Sequence, residues 1–298
     1  MMGYIYLAAA LFAGIAKGYC GKTVSRDMKG FNDCTFINLM RMLFCAAVGL
    51  ALALVRTGTG VFELTAASVG IYILAAVSMS MFCVCWMYAY RTEAYMFLSV
   101  FTMLSTIVTC LLDGIIYHTP VRLNQWIGMA VLVCAVFIMS IYNKGITGKL
   151  TPKGTAILIL GASGSSLADF SQKIYVREIG KSAEVFNFYM YFFGFVLLLA
   201  VYIMCIANKS TRETTPILYD KKHIGVYFLM AFFLYINSVT KTMAAGFLTS
   251  AQIYPVLQGA NLILSAVMSH ILFKEKINLK GIAGIVTAFA GLMIMNLL

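Results

Sequence analysis

One carboxylate lies deep inside an apolar stretch of this chain, where a charge is costly in a bilayer and usually serves function. Asp169 follows a run of small residues, and Lys173 comes four residues later. On a helix these two side chains share a face. Two interpretations stay open. One is a structural ion pair that neutralises both groups, and the other is a carboxylate that faces a cavity and binds a cation or a proton.

Other charged residues within apolar segments include Lys17, Arg41 and Asp113. Lys17 occupies nearly the same place in the first half of the chain as Asp169 in the second, so the two could approach each other across a cavity. Snorkelling of Lys17 to the membrane interface is the alternative. For Arg41 we expect snorkelling rather than ligand contact. Asp113, near the end of its segment, is expected to meet water or lipid headgroups.

Two segments carry polar side chains along one helical face, at positions i, i+4, i+7 and i+11. The stripes are equivalent when the two halves of the chain are aligned, which predicts a shared, water-filled cavity. Hydroxyl groups that bond to their own helix are the alternative, and it is stronger for the first stripe. The stripes consist of Thr102, Ser105, Thr109 and Asp113, and of Tyr254, Gln258, Asn261 and Ser265.

Aromatic residues at helical spacing suggest a second wall for the cavity. Helix packing is the default interpretation of such stripes, and belts of aromatic residues at the interface explain many Tyr and Trp near helix ends. If the stripes face the cavity, they would suit a flat or cationic substrate through contact with the π-face. The residues are Met79, Phe82, Trp86 and Tyr90, and Phe228, Phe232 and Tyr235 with Asn237 beside them.

Catalytic and metal-binding patterns are not apparent in the sequence. The three histidines lie far apart, the eight cysteines contain no C-x-x-C pair, and no phosphate-binding glycine loop is present. We therefore expect a protein that is not an enzyme, has no catalytic residues, holds no metal and needs no cofactor. The cysteines are interpreted as small buried hydrophobic residues.

Ten apolar segments of about twenty residues must position these side chains, since about 20 residues cross the hydrocarbon core. Hydrophobic residues make up 61% of the 298-residue chain and charged residues 11%, against about 25% charged in soluble domains. The sequence therefore predicts an all-α integral membrane protein with ten transmembrane helices. The segments are roughly 3–21, 34–55, 67–90, 94–117, 123–142, 154–176, 185–207, 223–244, 248–273 and 278–298.

The segments divide into two similar halves, residues 1–150 and 151–298. Lys22 and Arg26 align with Lys173 and Arg177, each pair just after or at the end of a first segment. Five crossings per half is an odd number, so the halves must have opposite orientations. Inverted repeats are typical of secondary transporters, whose sites lie between the halves near the midplane.

The net charge of +11 does not indicate nucleic-acid binding, because the basic residues are distributed over short loops. They number 14 in the odd-numbered loops and 5 in the even-numbered loops and termini. The positive-inside rule then predicts that both termini are outside. The five are Arg56, Arg122, Arg177, Lys181 and Lys241.

The chain resembles the drug/metabolite transporter superfamily in its ten-helix EamA-type branch. The resemblance covers the full length and is clearest from Tyr254-Pro255-Val256-Leu257-Gln258 through 272–277 to Gly281, Gly284 and Gly291. It implies that segments one to four and six to nine surround a cavity, with five and ten packed at the back. It also implies transport without ATP and both termini inside, which leaves the orientation open.

The chain departs from the family pattern early in the first segment. The usual Trp-Gly-Ser-Asn reads Gly14-Ile15-Ala16-Lys17 here, and related small multidrug pumps place a proton-binding Glu at the Gly14 position. Its counterpart in the second half is Ser165. Simple drug–proton antiport is therefore not expected.

From these features we predict a secondary-active transporter, with export the favoured direction, for a small organic metabolite or drug-like compound. A membrane receptor or lipid-handling protein without transport is the alternative. The partners expected for the transporter are the substrate, a coupling proton or ion, and the lipid bilayer, with no nucleic acid. We expect it to be a monomer or homodimer in a bacterial-type plasma membrane. The residues predicted to bind substrate are Lys17, Trp86, Tyr90, Thr102, Ser105, Asp169, Tyr235, Asn237, Tyr254, Gln258 and Asn261.

Overall fold

The computed structural model describes residues 2–93, 95–118, 121–147, 151–180, 182–207, 221–248, 250–274 and 278–296. Within these ranges the chain is helical and contains no β-strand, which confirms the predicted all-α fold. The α-helices are α1 (Met2–Ser25), α2 (Phe31–Thr57), α3 (Ala66–Thr92), α4 (Tyr95–Thr102), α5 (Leu104–Tyr117), α6 (Leu123–Thr147), α7 (Pro152–Ile174), α8 (Ala183–Ala207), α9 (Lys221–Ala245), α10 (Ser250–Ile271) and α11 (Leu279–Asn296).

Local sequence explains where two of these helices begin. Thr65 and Ser68 form a capping box before α3, in which each hydroxyl accepts a hydrogen bond from the other residue's backbone N–H. At the start of α7, the hydroxyl of Thr151 accepts from the N–H of Gly154 at 3.0 Å. Pro152 occupies the first helical turn, where its missing N–H costs nothing.

The fourth predicted segment is not one helix but two, α4 and α5, which meet at Met103. The N–H of Met103 bonds to the carbonyl of Val100 at 3.1 Å, and the N–H of Thr106 to the carbonyl of Met103 at 3.0 Å. Each of these bonds joins residues three apart, as in a 3-10 helix, rather than four apart as in an α-helix. The predicted polar stripe of this segment therefore crosses a break in the helix.

Most of the helices can cross a bilayer. In the described ranges, seven helical spans combine the necessary length and hydropathy, with α4 and α5 together forming one of them, and parts of α10 and α11 are shorter apolar helices. α7 is not among them because of its small and charged residues. Its 23 residues nevertheless extend about 35 Å, enough for the roughly 30 Å hydrocarbon core. The chain is an integral, multi-pass membrane protein, as predicted.

Contacts between helix ends indicate the relative directions of several crossings. Lys22 at the end of α1 donates from Nζ to the Tyr90 carbonyl near the end of α3, at 2.7 Å. Arg56 at the end of α2 pairs with Glu184 at the start of α8, with 2.5 Å between Nη1 and Oε1. Both contacts require successive segments to run in alternate directions.

The two ends of the described chain lie on the same side of the bundle. Tyr6, near the start of α1, stacks on Phe247 just after α9, with ring centroids 6.0 Å apart. Since α10 starts from this side and α11 returns to it, α11 ends where α1 begins. We call this the terminal side and the other the opposite side.

The strongest helix contacts also repeat between the halves. α1 packs on α9 and α3 on α7, α2 packs on α8, and α6 packs on α11. Exchanging each helix for its counterpart in the other half (α1 for α7, α2 for α8, α3 for α9 and α6 for α11) turns this set of contacts into itself. A twofold relation between inverted halves explains this pattern.

A glycine allows the closest of these helix contacts, between α6 and α11. A Cβ built on Gly128 would lie 2.7 Å from the carbonyl oxygen of Gly291 and would collide with Met295. Small residues at such positions let membrane helices approach closely. The glycine-rich tenth segment is therefore explained by packing against the fifth.

We expect Gly128→Ala to destabilise the protein by about 1–3 kcal/mol, because backbone must move to admit the methyl group. Thermal unfolding in detergent measures the loss. Gly70→Ala is the matched control, since nothing in the described structure lies within 4 Å of a Cβ there. Equal unfolding temperatures for the two variants would contradict the packing argument.

Candidate functional site

A cavity of about 140 Å³ lies between the two halves of the bundle. Its described lining comes from α1, α2, α3 and α4 of the first half and from α7, α9 and α10 of the second. The back pair α6 and α11 contributes nothing to this lining, as the family resemblance implied. The resemblance also implied that the seventh segment, α8, would line the cavity. It does not contribute to the described lining, because α8 packs on α2 and α3 instead.

Amide and hydroxyl side chains form one part of the cavity wall. Gln258 and Asn261 of α10 both line it, together with Asn237 of α9 and Thr102 of α4. Asn237 donates from Nδ2 to the Ala10 carbonyl at 2.6 Å, which holds its amide in place. The structure thus brings together four of the residues that the stripes singled out.

Gly14 makes room for these amides. A Cβ at this position would lie 3.1 Å from Asn237 Nδ2 and 3.7 Å from Asn261 Oδ1. A large side chain at position 14 would therefore displace the amides. Its counterpart Ser165 also lines the cavity. Both positions face the site, and neither supplies a carboxylate.

Asp169 lines the cavity and pairs with Lys241 of α9, whose Nζ donates to Oδ1. Only 6% of the Asp169 side chain and 17% of the Lys241 side chain are exposed. The predicted alternative, a pair with Lys173 on the same helix, is wrong. The assignment of Lys241 to a loop is also wrong, since it belongs to α9.

Lys173 instead pairs with Asp113 of α5, at the terminal side of the bundle. The ring of Tyr117 lies beneath two cations, 5.4 Å from Lys173 Nζ and 4.1 Å from the Arg177 guanidinium carbon. The expectation that Asp113 meets water or headgroups is wrong, because the residue is 9% exposed. A carboxylate so deeply buried requires a partner, and α7 supplies it.

Lys17 and Arg41 both line the cavity, on α1 and α2. Lys17 Nζ lies 5.9 Å from the centroid of the Phe82 ring. Arg41 donates from Nη1 to Asn38 Oδ1 at 2.6 Å and is 5% exposed. The prediction that Arg41 snorkels is therefore wrong, because Asn38 anchors its guanidinium in the interior.

The aromatic wall comes from α3 and not from α9. Trp86 and Tyr90 line the cavity, and Phe82 packs on Trp86 with centroids 5.5 Å apart. Tyr235 lies outside the cavity, 6.3 Å from the ring of Tyr191. The lining face of α9 is a different stripe, formed by Met230, Leu234, Asn237 and Lys241.

Ser105 also lies outside the cavity, at the contact between α5 and α7. Its carbonyl accepts from the Ser166 hydroxyl at 3.1 Å and from the Thr109 hydroxyl at 2.9 Å. The break at Met103 explains why Thr102 faces the cavity and Ser105 does not. The Tyr254 side chain lies outside the described part of the structure.

Sequence reasoning did not assign Arg41, Ser165 and Lys241 to the site. Lys241 lies four residues after Asn237, so the spacing on α9 could have found it. No spacing pattern in the sequence indicated that Arg41 would face the cavity and bind Asn38. Across the described residues, no group of three or more His, Cys, Asp or Glu side chains is placed to hold a metal ion.

Repeated halves with a polar cavity between them are typical of membrane transporters. The chain matches the model of the EamA-like transporter family over residues 1–141 and again over 152–297. It therefore belongs to the EamA-like transporter family, within the drug/metabolite transporter superfamily. The protein is thus a membrane transporter of this type, and the family consists of transporters rather than enzymes.

A solved crystal structure supports the same fold. It shares 9% sequence identity with this chain and aligns over 98% of this chain and 95% of its own length, with a TM-score of 0.68. At this identity the likeness concerns the fold alone. The comparison with curated proteins found no match.

Removing one partner of the Asp169–Lys241 pair would leave the other charge buried without a counter-charge. We expect Asp169→Asn and Lys241→Gln each to reduce the free energy of unfolding by about 3 kcal/mol, and the double variant to lose less than the sum. Denaturant unfolding of the four proteins measures the coupling. Strictly additive losses would show that the pair does not contribute to stability.

Proposed function

We propose that the protein carries a small organic molecule across the membrane by alternating access, without ATP, and that export is its working direction. The observation that supports this proposal is the position of the cavity. Polar side chains from both inverted halves line one space near the middle of the bundle. A rocking motion of one half against the other would expose this space to each side in turn.

Contacts at both ends of the bundle are suited to closing the cavity. On the opposite side, Lys22 Nζ ties α1 to the carbonyls of Tyr90 and Glu93, at 2.7 and 2.8 Å. On the terminal side, the Lys173–Asp113 pair ties α7 to α5. The two lysines occupy equivalent places in the two halves. The Lys173–Asp113 pair joins the two halves and would break when they rock apart on the terminal side, whereas the Lys22 contacts lie within the first half and would hold α1 against α3.

The choice of substrate would depend on the amide-rich wall of α10. Gln258 and Asn261 present donors and acceptors that a polar substrate can use, and buried amides left unpaired are costly. A substrate that forms hydrogen bonds with these amides makes up for the water that it displaces from them. The aromatic wall at Trp86 would cover the less polar part of the same molecule.

Flux through proteoliposomes tests transport directly. The purified protein is reconstituted, loaded with metabolite mixtures and assayed for counterflow of labelled compounds. Saturable counterflow supports a carrier, whereas binding without flux would support a receptor or lipid-handling protein. Flux that depends on added ATP would contradict the proposal.

We expect Gln258→Leu and Asn261→Leu each to reduce counterflow at least tenfold, because each removes a polar group from the cavity lining. Thr287→Val is the control. Its hydroxyl donates to its own helix at Ala283, with 2.7 Å between oxygens, and it does not line the cavity. Unchanged flux in both leucine variants, with normal folding, would move the substrate site elsewhere.

The double variant Asp113→Asn/Lys173→Gln tests the terminal-side contact without stranding a charge. We expect the maximal rate of counterflow to fall about fivefold or more, because one access state loses its closing contact. Arg177→Gln is the control for loss of a cation on the same side, since Arg177 contacts the Tyr117 ring and forms an exposed pair with Glu178 at 3.8 Å. It has no ion pair with Asp113 among the described residues. A normal rate in the double variant would show that the pair is not part of the transport cycle.

A further inference from the structure

Positive charge exceeds negative charge in the cavity. Among the described lining residues, Lys17, Arg41 and Lys241 are cationic, and Asp169 is the single carboxylate. Asp169 is engaged with Lys241. Within the described ranges, neither Lys17 nor Arg41 has an ion-pair partner. Two positive charges therefore remain uncompensated in the lining.

The two uncompensated cations also act on each other. Lys17 is close enough to Arg41 and Lys241, and also to Asp169, for their charges to interact. Like charges brought together inside a membrane protein repel each other strongly, because little water is present to screen them. A ligand of opposite charge would relieve this repulsion.

The Arg41 guanidinium is anchored by one hydrogen bond and retains donors that the described structure leaves unused. Its Nη1 is anchored by Asn38. Its Nε is buried and has no hydrogen-bond partner in the described structure. Buried polar groups without partners are rare and call for an explanation. The Nε–Nη2 edge of a guanidinium matches the two oxygens of a carboxylate.

The size and the aromatic wall of the cavity restrict the rest of the ligand. The volume of about 140 Å³ is close to that of an engineered cavity of about 150 Å³ that binds benzene. Trp86 lines this space and is 5% exposed. A planar body of benzene size would pack against the indole ring.

We infer that the substrate is a small organic carboxylate, whose anionic group binds to Arg41 and Lys17 and whose planar body packs on Trp86. The inference rests on the proposed transport function and specifies its substrate class. The aromatic stripes alone suggested a flat or cationic substrate, and this inference keeps the flat body but replaces the cation with an anion. Asp169 would keep such an anion away from Lys241 while that ion pair is intact.

The two tryptophans of the chain allow a direct binding measurement. Trp126 lies on α6, outside the cavity, and is 53% exposed. Trp126→Phe therefore leaves Trp86 as the only indole, inside the cavity. Fluorescence of this variant, purified in detergent, is titrated with benzoate, benzamide and benzylammonium. These probes share one ring and carry a negative charge, no charge and a positive charge.

We expect a saturable fluorescence change with benzoate and at least tenfold weaker binding of benzamide, since a charge-assisted hydrogen bond is worth roughly a factor of ten or more. Benzylammonium should bind weakest. Benzamide or benzylammonium binding as tightly as benzoate would overturn the inference. Binding of none of the three would overturn it as well, since the cavity has the size for each.

Variants of the two cations identify the anion-binding groups. In the Trp126→Phe background, we expect Lys17→Gln and Arg41→Gln each to weaken benzoate binding at least tenfold and to leave benzamide binding nearly unchanged. Arg41→Lys keeps the charge and should retain part of the affinity if Arg41→Gln fails to fold. Lys144→Gln, which removes an exposed cation at the end of α6, is the control. Unchanged benzoate affinity in the folded Lys17 and Arg41 variants would overturn the assignment.

Counterflow of labelled benzoate separates this inference from the proposed function. Charge-selective binding without flux would contradict transport and leave the anion site in place. Saturable flux of neutral or cationic compounds without any preference for benzoate would contradict the anion site and leave transport in place.

Discussion

The bilayer gives this chain no solvent for charged groups, and the arrangement of the helices follows from that constraint. Each buried charge must find a partner within the protein or face a cavity that holds water or ligand. Lys241 and Asp169 meet between α9 and α7, Lys173 and Asp113 between α7 and α5, and Lys22 binds backbone carbonyls of α3 and the turn after it. These contacts connect helices that are distant in sequence. They also collect the polar groups between the two halves, where a transporter needs its site.

The two halves share a backbone plan and differ in side chains. Exchanging counterpart helices preserves the pairing of α1 with α9 and of α3 with α7. The equivalent lysines, however, bind carbonyl groups at one end and a carboxylate at the other. The two ends of the bundle are therefore stabilised by different interactions. The cavity is likewise asymmetric, with Lys17 in one half and Asp169 in the other.

Much of the fold could be predicted from the sequence because hydropathy has a simple physical cause. A helix must hide its backbone groups from lipid, and about twenty apolar residues are needed to cross it. Periodicity also placed Gln258, Asn261, Asn237 and Trp86 on faces that line the cavity. The prediction failed for Ser105, because tight turns at Met103 divide the helix and neither propensity nor spacing revealed that break. It also failed for Tyr235, because the true lining face of α9 includes Met230 and Leu234, which composition alone would assign to packing.

The all-α membrane fold, the inverted halves and the family can all be predicted from patterns along the chain. The partners of the charges depend instead on how the helices pack. Asp169 and Lys173 stand four residues apart on one helix, yet each pairs with a different neighbouring helix. A long side chain reaches several neighbours, and the energy of a buried charge depends on which helix is packed against it. For the same reason Arg41 points inward to Asn38 and the cavity rather than to the interface.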